Sequence, residues 1–260
     1  MCLILIAWQT REDRPLVVAA NRDEFFARPA APAAFWHDAP QILAGRDLEA
    51  GGTWLGITRH GRFAALTNFR DPQRQLPDKR SRGELVANFL CGTATPAEYA
   101  HALEPGAKRY NGFNLLIADR RELRYVSNAG GGSSALAPGV YGLSNHLLDT
   151  PWPKVARARS QLTDSLAAIP HTEPLFAMLR DEAIAPDEHL PRTGVSLEWE
   201  RLLSAAFVRS PDYGTRCSTV LTLSSDGAVD FEERGFGPGA RPSGTVRMRF
   251  RLEQAGNDAS

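Results

Sequence analysis

Lysine is nearly absent from this chain: of its 30 basic residues only Lys79, Lys108 and Lys154 are not arginine. A bias that broad is compositional, so arginine clusters carry little weight as evidence for a polyanion site. Net charge is missing too, since 30 Lys+Arg stand against 30 Asp+Glu. No global field gathers nucleic acid, which argues against it as the main partner. Cysteine is scarce: Cys2, Cys91 and Cys217 are scattered with no C-x-x-C pair. That excludes a disulfide framework and a cysteine zinc knuckle, and fits a reducing compartment. Long apolar runs are lacking as well. Cys2 to Trp8 spans seven residues, against the ~20 that cross a bilayer. With no basic segment before it and no small-residue cleavage site after it, the run does not read as a signal peptide, and a cytoplasmic chain is expected. No His-Glu-x-x-His or other compact ligand spacing occurs, so no metal site is expected. The stretch Gly130 to Ser134 lacks a Walker lysine and reads as a flexible turn. There is no C-x-x-C-H haem attachment, which leaves noncovalent ligation by a histidine or cysteine open.

What is present is a globular composition, 43% hydrophobic and 23% charged over 260 residues, enough for a large core. Cys2 to Trp8 and Pro15 to Ala20 flank a polar turn and predict an N-terminal hairpin. Residues 29 to 40, rich in proline and alanine, read as a surface connection. Thr53 to Thr58 and Arg62 to Asn68 flank His60-Gly61 as a second hairpin, and Gly83 to Cys91 and Pro96 to Leu103 read as two short helices. Phe113 to Ala118 and Leu123 to Ser127 are strands, which Gly139 to Leu143 is expected to continue in the same sheet. Helices are expected over Pro153 to Ile169, Glu173 to Ala183 and Leu197 to Val208. Cys217 to Leu223, Ala228 to Glu232 and Val246 to Leu252 are strands again, the first two around the Asp226-Gly227 turn. Residues 1 to 252 read as one domain and Glu253 to Ser260 as a polar tail. Hairpins at both ends with helices gathered between them predict antiparallel sheets covered by segregated helices, an α+β architecture.

Cys2 is the first candidate for chemistry. Removal of Met1 would leave one residue with a thiol nucleophile and an α-amine whose ordinary pKa of ~7.7–8.0 suits a base near neutrality. Asn21-Arg22-Asp23-Glu24 follows the second strand of the predicted hairpin, whose end returns beside the start of the first. Arg22 and Asp23 are therefore expected beside Cys2, Arg22 favouring thiolate and Asp23 accepting from the ammonium. Cys91 and Cys217 read as buried packing thiols. Gly142-Leu143-Ser144-Asn145-His146 has histidine where a nucleophile elbow needs glycine.

These residues resemble the transport-and-Golgi-organisation, or NRDE-domain, family, named for the tetrapeptide at 21 to 24. The resemblance runs through the Met1-Cys2 start, Gly51-Gly52-Thr53-Trp54-Leu55-Gly56, Thr67-Asn68-Phe69-Arg70, Ser81-Arg82-Gly83-Glu84-Leu85, Asn111-Gly112-Phe113-Asn114-Leu115, Gly142-Leu143-Ser144-Asn145 and Pro151-Trp152-Pro153-Lys154. It implies an N-terminal-nucleophile hydrolase fold of four layers, αββα, with two stacked antiparallel sheets flanked by helices. Similar cysteine acylases cut penicillin V, conjugated bile salts or ceramide-like amides. Carried over by segment, their catalytic set is Cys2, Arg22, Asp23, Asn68, Asn145 and Arg216, the two asparagines standing at the oxyanion. Those acylases have Arg-Asn-x-Asp where this chain has Asn21-Arg22-Asp23-Glu24, so Asn21 and Glu24 are held as site support. Two functions follow from the resemblance. One is hydrolysis of a small amide or acyl thioester with no required cofactor; the other is non-catalytic binding or trafficking of haem or acyl-CoA in the same cleft. Partners are thus small molecules, and no oligomeric state is implied. Cys2, Asp23 and Asn145 are expected to meet in one cleft at the edge of the stacked sheets.

Overall fold

The computed structural model describes residues 2 to 253. β1 (Cys2–Trp8) and β2 (Leu16–Phe25) form the N-terminal hairpin. β3 (Ala30–Phe35), β4 (Ile42–Asp47), β5 (Leu55–Thr58) and β6 (Phe63–Asn68) then run as a meander, followed by α1 (Gly83–Cys91) and α2 (Pro96–Leu103). Next come β7 (Phe113–Ala118), β8 (Leu123–Ser127), β9 (Gly132–Ala135) and β10 (Gly139–Leu143). The helical stretch α3 (Pro153–Ser165), α4 (Glu173–Leu179) and α5 (Leu197–Leu203) leads to β11 (Tyr213–Leu223), β12 (Ala228–Gly237) and β13 (Arg241–Arg251).

The strands form two antiparallel sheets, one ordered β10-β1-β2-β11-β12-β13 and the other β3 through β9 in sequence order. Period-two alternation gives each sheet two apolar faces. Ile4, Ile6 and Trp8 of β1 point to the inter-sheet core with Val18, Ala65, Leu116 and Leu221. Leu3, Leu5 and Ala7 point the other way, onto Val155 and Leu162 of α3 and Leu175 and Leu179 of α4. On the far side Leu85, Val86, Phe89 and Leu90 of α1 cover Ala64, Leu66, Leu115 and Ile117. The result is four layers, helices on sheet on sheet on helices, as expected. Among the described residues no helix is long and apolar enough to cross a membrane.

Five local expectations are corrected. The segment read as a connection at 29 to 40 contains β3, which pairs with β4 through a register shift between Ala31 and Ala34; alanine and proline hide an edge strand because neither signals β structure. β2 continues through Asn21-Arg22-Asp23-Glu24 to Phe25, because β11 pairs with it along that whole length. β10 does not continue the β7–β8 sheet but crosses to the edge of the other, pairing with β1 from Ile4↔Leu143 to Trp8↔Gly139. The glycine-rich turn is partly strand, β9, paired with β8. The last two predicted helices stop early, at Leu179 and Leu203. Of the predicted tail, Glu253 donates its backbone N–H to Arg59 O at 2.8 Å; the remainder, like Met1, lies outside the described residues.

Candidate active site

The register of three strands builds the centre of the site. Cys2 on β1 is opposite Arg22 on β2, and Arg22 is in turn opposite Cys217 on β11. All three share the parity of the inter-sheet face, but they lie at the end where the sheets separate into an open cleft of about 700 Å³. The alignment depends on a β-bulge. β11 shifts register between Thr215, which pairs with Asp23, and Cys217, so Arg216 is the extra residue. Bulges re-aim side chains in this way. The Arg216 guanidinium donates to the carbonyls of Phe25 and Arg28 at 3.0 and 2.6 Å and lines the cleft with Cys2, Arg22, Asp23, Glu24 and Asn68.

Burial pushes the Cys2 thiol above its usual value, against the opposing influence of Arg22 and of the Asp23 backbone N–H. A thiol in that state must lose its proton to a base as it reacts. Asp23, 1% exposed, follows the Cys2–Arg22 pair and accepts from Thr215 Oγ1 at 2.7 Å. Desolvation raises its carboxyl above the ordinary range, while Lys154, Thr215 and Arg70 pull it back. Those partners come from distant segments. Arg70, after β6, forms a buried ion pair with Glu200 of α5 at 2.7 Å and lies 4.7 Å from the Trp152 ring centre. Glu200 also accepts from the Thr193 N–H and hydroxyl at 2.8 and 2.6 Å. Lys154 stands in the first turn of α3, 1% exposed.

Asn68 ends β6 and lines the cleft, whereas Asn145 does not. Asn145 is fully buried, and its amide donates to Asn68 O at 2.9 Å while Arg70 N–H donates to Asn145 O at 2.7 Å. The two bonds fasten the end of β6 in one sheet to the residues after β10 in the other. Ser144 Oγ donates to Cys2 O at 3.0 Å, tying the same loop to the start of β1. The expected meeting of Cys2, Asp23 and Asn145 is therefore altered: Cys2 and Asp23 line the cleft, and Asn145 sits behind Asn68 because its amide is used by main chain.

Asn21 has the parity of the helix-facing side. Its amide donates to Leu179 O and Ala206 O, each at 2.8 Å, and its oxygen accepts from Ser218 Oγ at 2.6 Å. It joins β2 to the helix layer and is absent from the cleft lining. Glu24 lines the cleft and accepts from the Phe25 N–H at 2.9 Å. Cys217 is buried as expected but also lines the cleft, and Cys91 is exposed rather than packed. Among the described residues no group of three His, Cys, Asp or Glu is placed to hold a metal ion, and the cleft lining contains no histidine.

The candidate site set read from the sequence left out Arg70, Arg82, Lys154, Glu200 and Thr215, although the first three stand in segments that carry the family resemblance. Arg82 lines the cleft because Gly52 and Gly83 let two backbones touch: a Cβ on Gly52 would lie 2.5 Å from Gly83 C. Burial lowers the Arg82 guanidinium's affinity for its proton, with Glu24 and Cys2 opposing. Lys154 had two visible signals, its place in the Pro151-Trp152-Pro153-Lys154 segment and a lysine in a chain that uses almost only arginine. Glu200 had none, since a glutamate in an amphipathic helix reads as surface.

A family model described as Transport and Golgi organisation 2 matches residues 1–238. The chain is 40% identical over 283 residues to the Transport and Golgi organization protein 2 homolog of Bos taurus, covering 97% of this chain and 100% of that one. With the human homolog it shares 37% over 256 residues, 90% and 92% of the two chains. Among solved structures it is similar to the Caenorhabditis elegans N-acylethanolamine-hydrolyzing acid amidase ortholog, with a TM-score of 0.52, 11% identity and coverage of 85% of this chain and 92% of that one. At that identity the likeness speaks for the fold, which is that of the N-terminal-nucleophile hydrolases, and for nothing finer.

Proposed function

Because the chain belongs to the transport and Golgi organisation 2 family and carries an N-terminal-nucleophile hydrolase fold, we propose that it is a cysteine hydrolase of a small amide or acyl thioester, with Cys2 as nucleophile once Met1 is removed. The observation that carries this reading is the placement of the Cys2 thiol in a large cleft, in register with Arg22 and next to Asp23. The α-amine of Cys2 takes the thiol proton, and the sulfur attacks the substrate carbonyl carbon. Arg22 stabilises the thiolate and Asp23 orients the amine. The Asn68 side-chain amide supplies a donor to the oxyanion, held in place through Asn145. Collapse of the tetrahedral intermediate expels the amine or thiol, which takes the proton back from the α-ammonium. Water, deprotonated by the same amine, then attacks the acyl-cysteine thioester and releases the acid.

The lining also supports a substrate class. Among the described residues Arg82 and Arg216 have no carboxylate ion-pair partner; both donate to backbone carbonyls and both face the cleft. A carboxylate or phosphate on the substrate would find two guanidiniums ready to pair.

Intact-mass measurement of the purified chain tests the premise: it is expected to lack Met1, and a retained Met1 rules the mechanism out. Cys2→Ala should remove turnover of an amide and thioester panel while leaving the thermal midpoint nearly unchanged, and full turnover in that variant defeats the assignment. The cleft's size and its guanidiniums also favour a second reading, non-catalytic binding of haem or acyl-CoA. There, binding survives Cys2→Ser and no substrate of the panel is cleaved. Titration with each ligand beside the panel separates the two.

A further inference from the structure

Lys154 is placed where a lysine is unfavourable on three counts. It is 1% exposed; among the described residues its ammonium has no hydrogen-bond partner; and it stands in the first turn of the thirteen-residue helix α3, where the helix dipole repels a cation. Chain geometry forces it there. A Cβ on Gly142 would lie 2.6 Å from Val155 Cγ1, so the bare glycine lets α3 press against β10 and delivers the preceding residue, Lys154, into the layer behind Cys2.

We propose that Lys154 is a positioning residue of the catalytic centre, the buried counter-charge that keeps Asp23 ionised and the α-amine of a processed Cys2 in its neutral, proton-accepting form. This rests on the hydrolase reading above. The charged and titratable groups facing Lys154 are Asp23 from β2, Arg70 from the segment after β6, Cys2 from β1 and Glu200 from α5. Tyr213 from β11 faces Asp23, Cys2, Glu24 and Arg70. Cys2 further faces Arg22, Cys217 and Arg82. In the buried layer, Asp23 and Glu200 balance Arg70 and Lys154. An ammonium on Cys2 would be a surplus cation in a medium that screens charge poorly, so the amine gives up its proton readily. Without Lys154 an ammonium on Cys2 takes over as the counter-charge of Asp23 and holds its proton, and the base is spent before the substrate arrives. Burial holds the Lys154 group itself down at about 8, so it is cationic at neutral pH and its influence fades above that range.

The test needs no substrate. The Cys2 α-amine is titrated through its nitrogen NMR shift in chains labelled with 15N-cysteine, in which Cys2, Cys91 and Cys217 are told apart by single Cys→Ser variants. In Lys154→Met and Lys154→Gln the midpoint of the α-amine titration should rise by about one pH unit or more, which is ~tenfold less neutral amine at a fixed pH below it. Lys154→Arg, which keeps the charge, should return the profile most of the way to wild type. Superimposable profiles in folded variants overturn the proposal, as does failure of both neutral variants to fold, which would make Lys154 structural. A wild-type chain that retains Met1, or whose Cys2 is not alkylated by iodoacetamide, defeats the hydrolase reading itself. Wild-type reactivity with unshifted variants defeats only the role of Lys154.

Discussion

At the scale of single residues, the site is governed by charges that water cannot reach. The Arg70–Glu200 pair, 3% and 5% exposed at the side chains, is a case in which removing one member costs more than removing both. Glu200→Gln or Arg70→Met alone should lower the unfolding free energy by about 3–5 kcal/mol, and the double variant by clearly less, in urea titrations. Lys154 makes a separate pH signature. Its proton is held at about 8 in the folded chain against an ordinary 10.5, so between those values the unfolded chain binds a proton that the folded chain does not. Stability from this group therefore rises with pH across that window. The difference in unfolding free energy between wild type and Lys154→Met should grow in favour of wild type from pH 8 to 10.5, by on the order of 3 kcal/mol. A flat difference would show that Lys154 keeps its ordinary affinity for the proton.

At the scale of elements, position is set by close approach. α3 reaches β10 only because Gly142 has no side chain, and the backbone at Gly52 meets that at Gly83 for the same reason. Gly142→Ala should cost about 1–3 kcal/mol of stability by overpacking and slow turnover by displacing α3, whereas a surface glycine substitution should do neither. Gly52→Ala should act more locally, moving the segment that carries Arg82 and raising KM for an anionic substrate more than it lowers kcat. The N-terminal hairpin could be read directly because its partners are adjacent in sequence and its alternation is clean. β3 could not, because an alanine- and proline-rich edge strand has little local preference of its own. The destination of β10 was equally hidden, since Gly139 to Leu143 fits either sheet until β1 is seen to need an edge partner.

At the scale of the whole molecule, a chain of zero formal charge concentrates guanidiniums on one cleft between two sheets. Attraction of an anionic substrate to that cleft is local and screened by salt. KM for such a substrate should rise steadily with sodium chloride, and Arg82→Gln should both raise KM and flatten that dependence; a salt-independent KM would remove the guanidiniums from recognition. The two sheets are fastened at the site by Asn145, whose amide bonds Asn68 O and whose carbonyl accepts from Arg70 N–H, so Asn145→Ala should loosen cleft and fold together. By itself the amino-acid sequence determined the hairpin that returns Arg22 to Cys2, the α+β layering and the family, because these follow from local pairing, apolar periodicity and short motifs. Only the tertiary structure decided that Arg216 is a bulge, that Asn145 stands behind Asn68, and that Arg70 and Lys154 act on Asp23 while Glu200 pairs with Arg70. Those relations join residues more than forty positions apart, and burial, which gives their charges force, is a property of the packed layers and not of any segment.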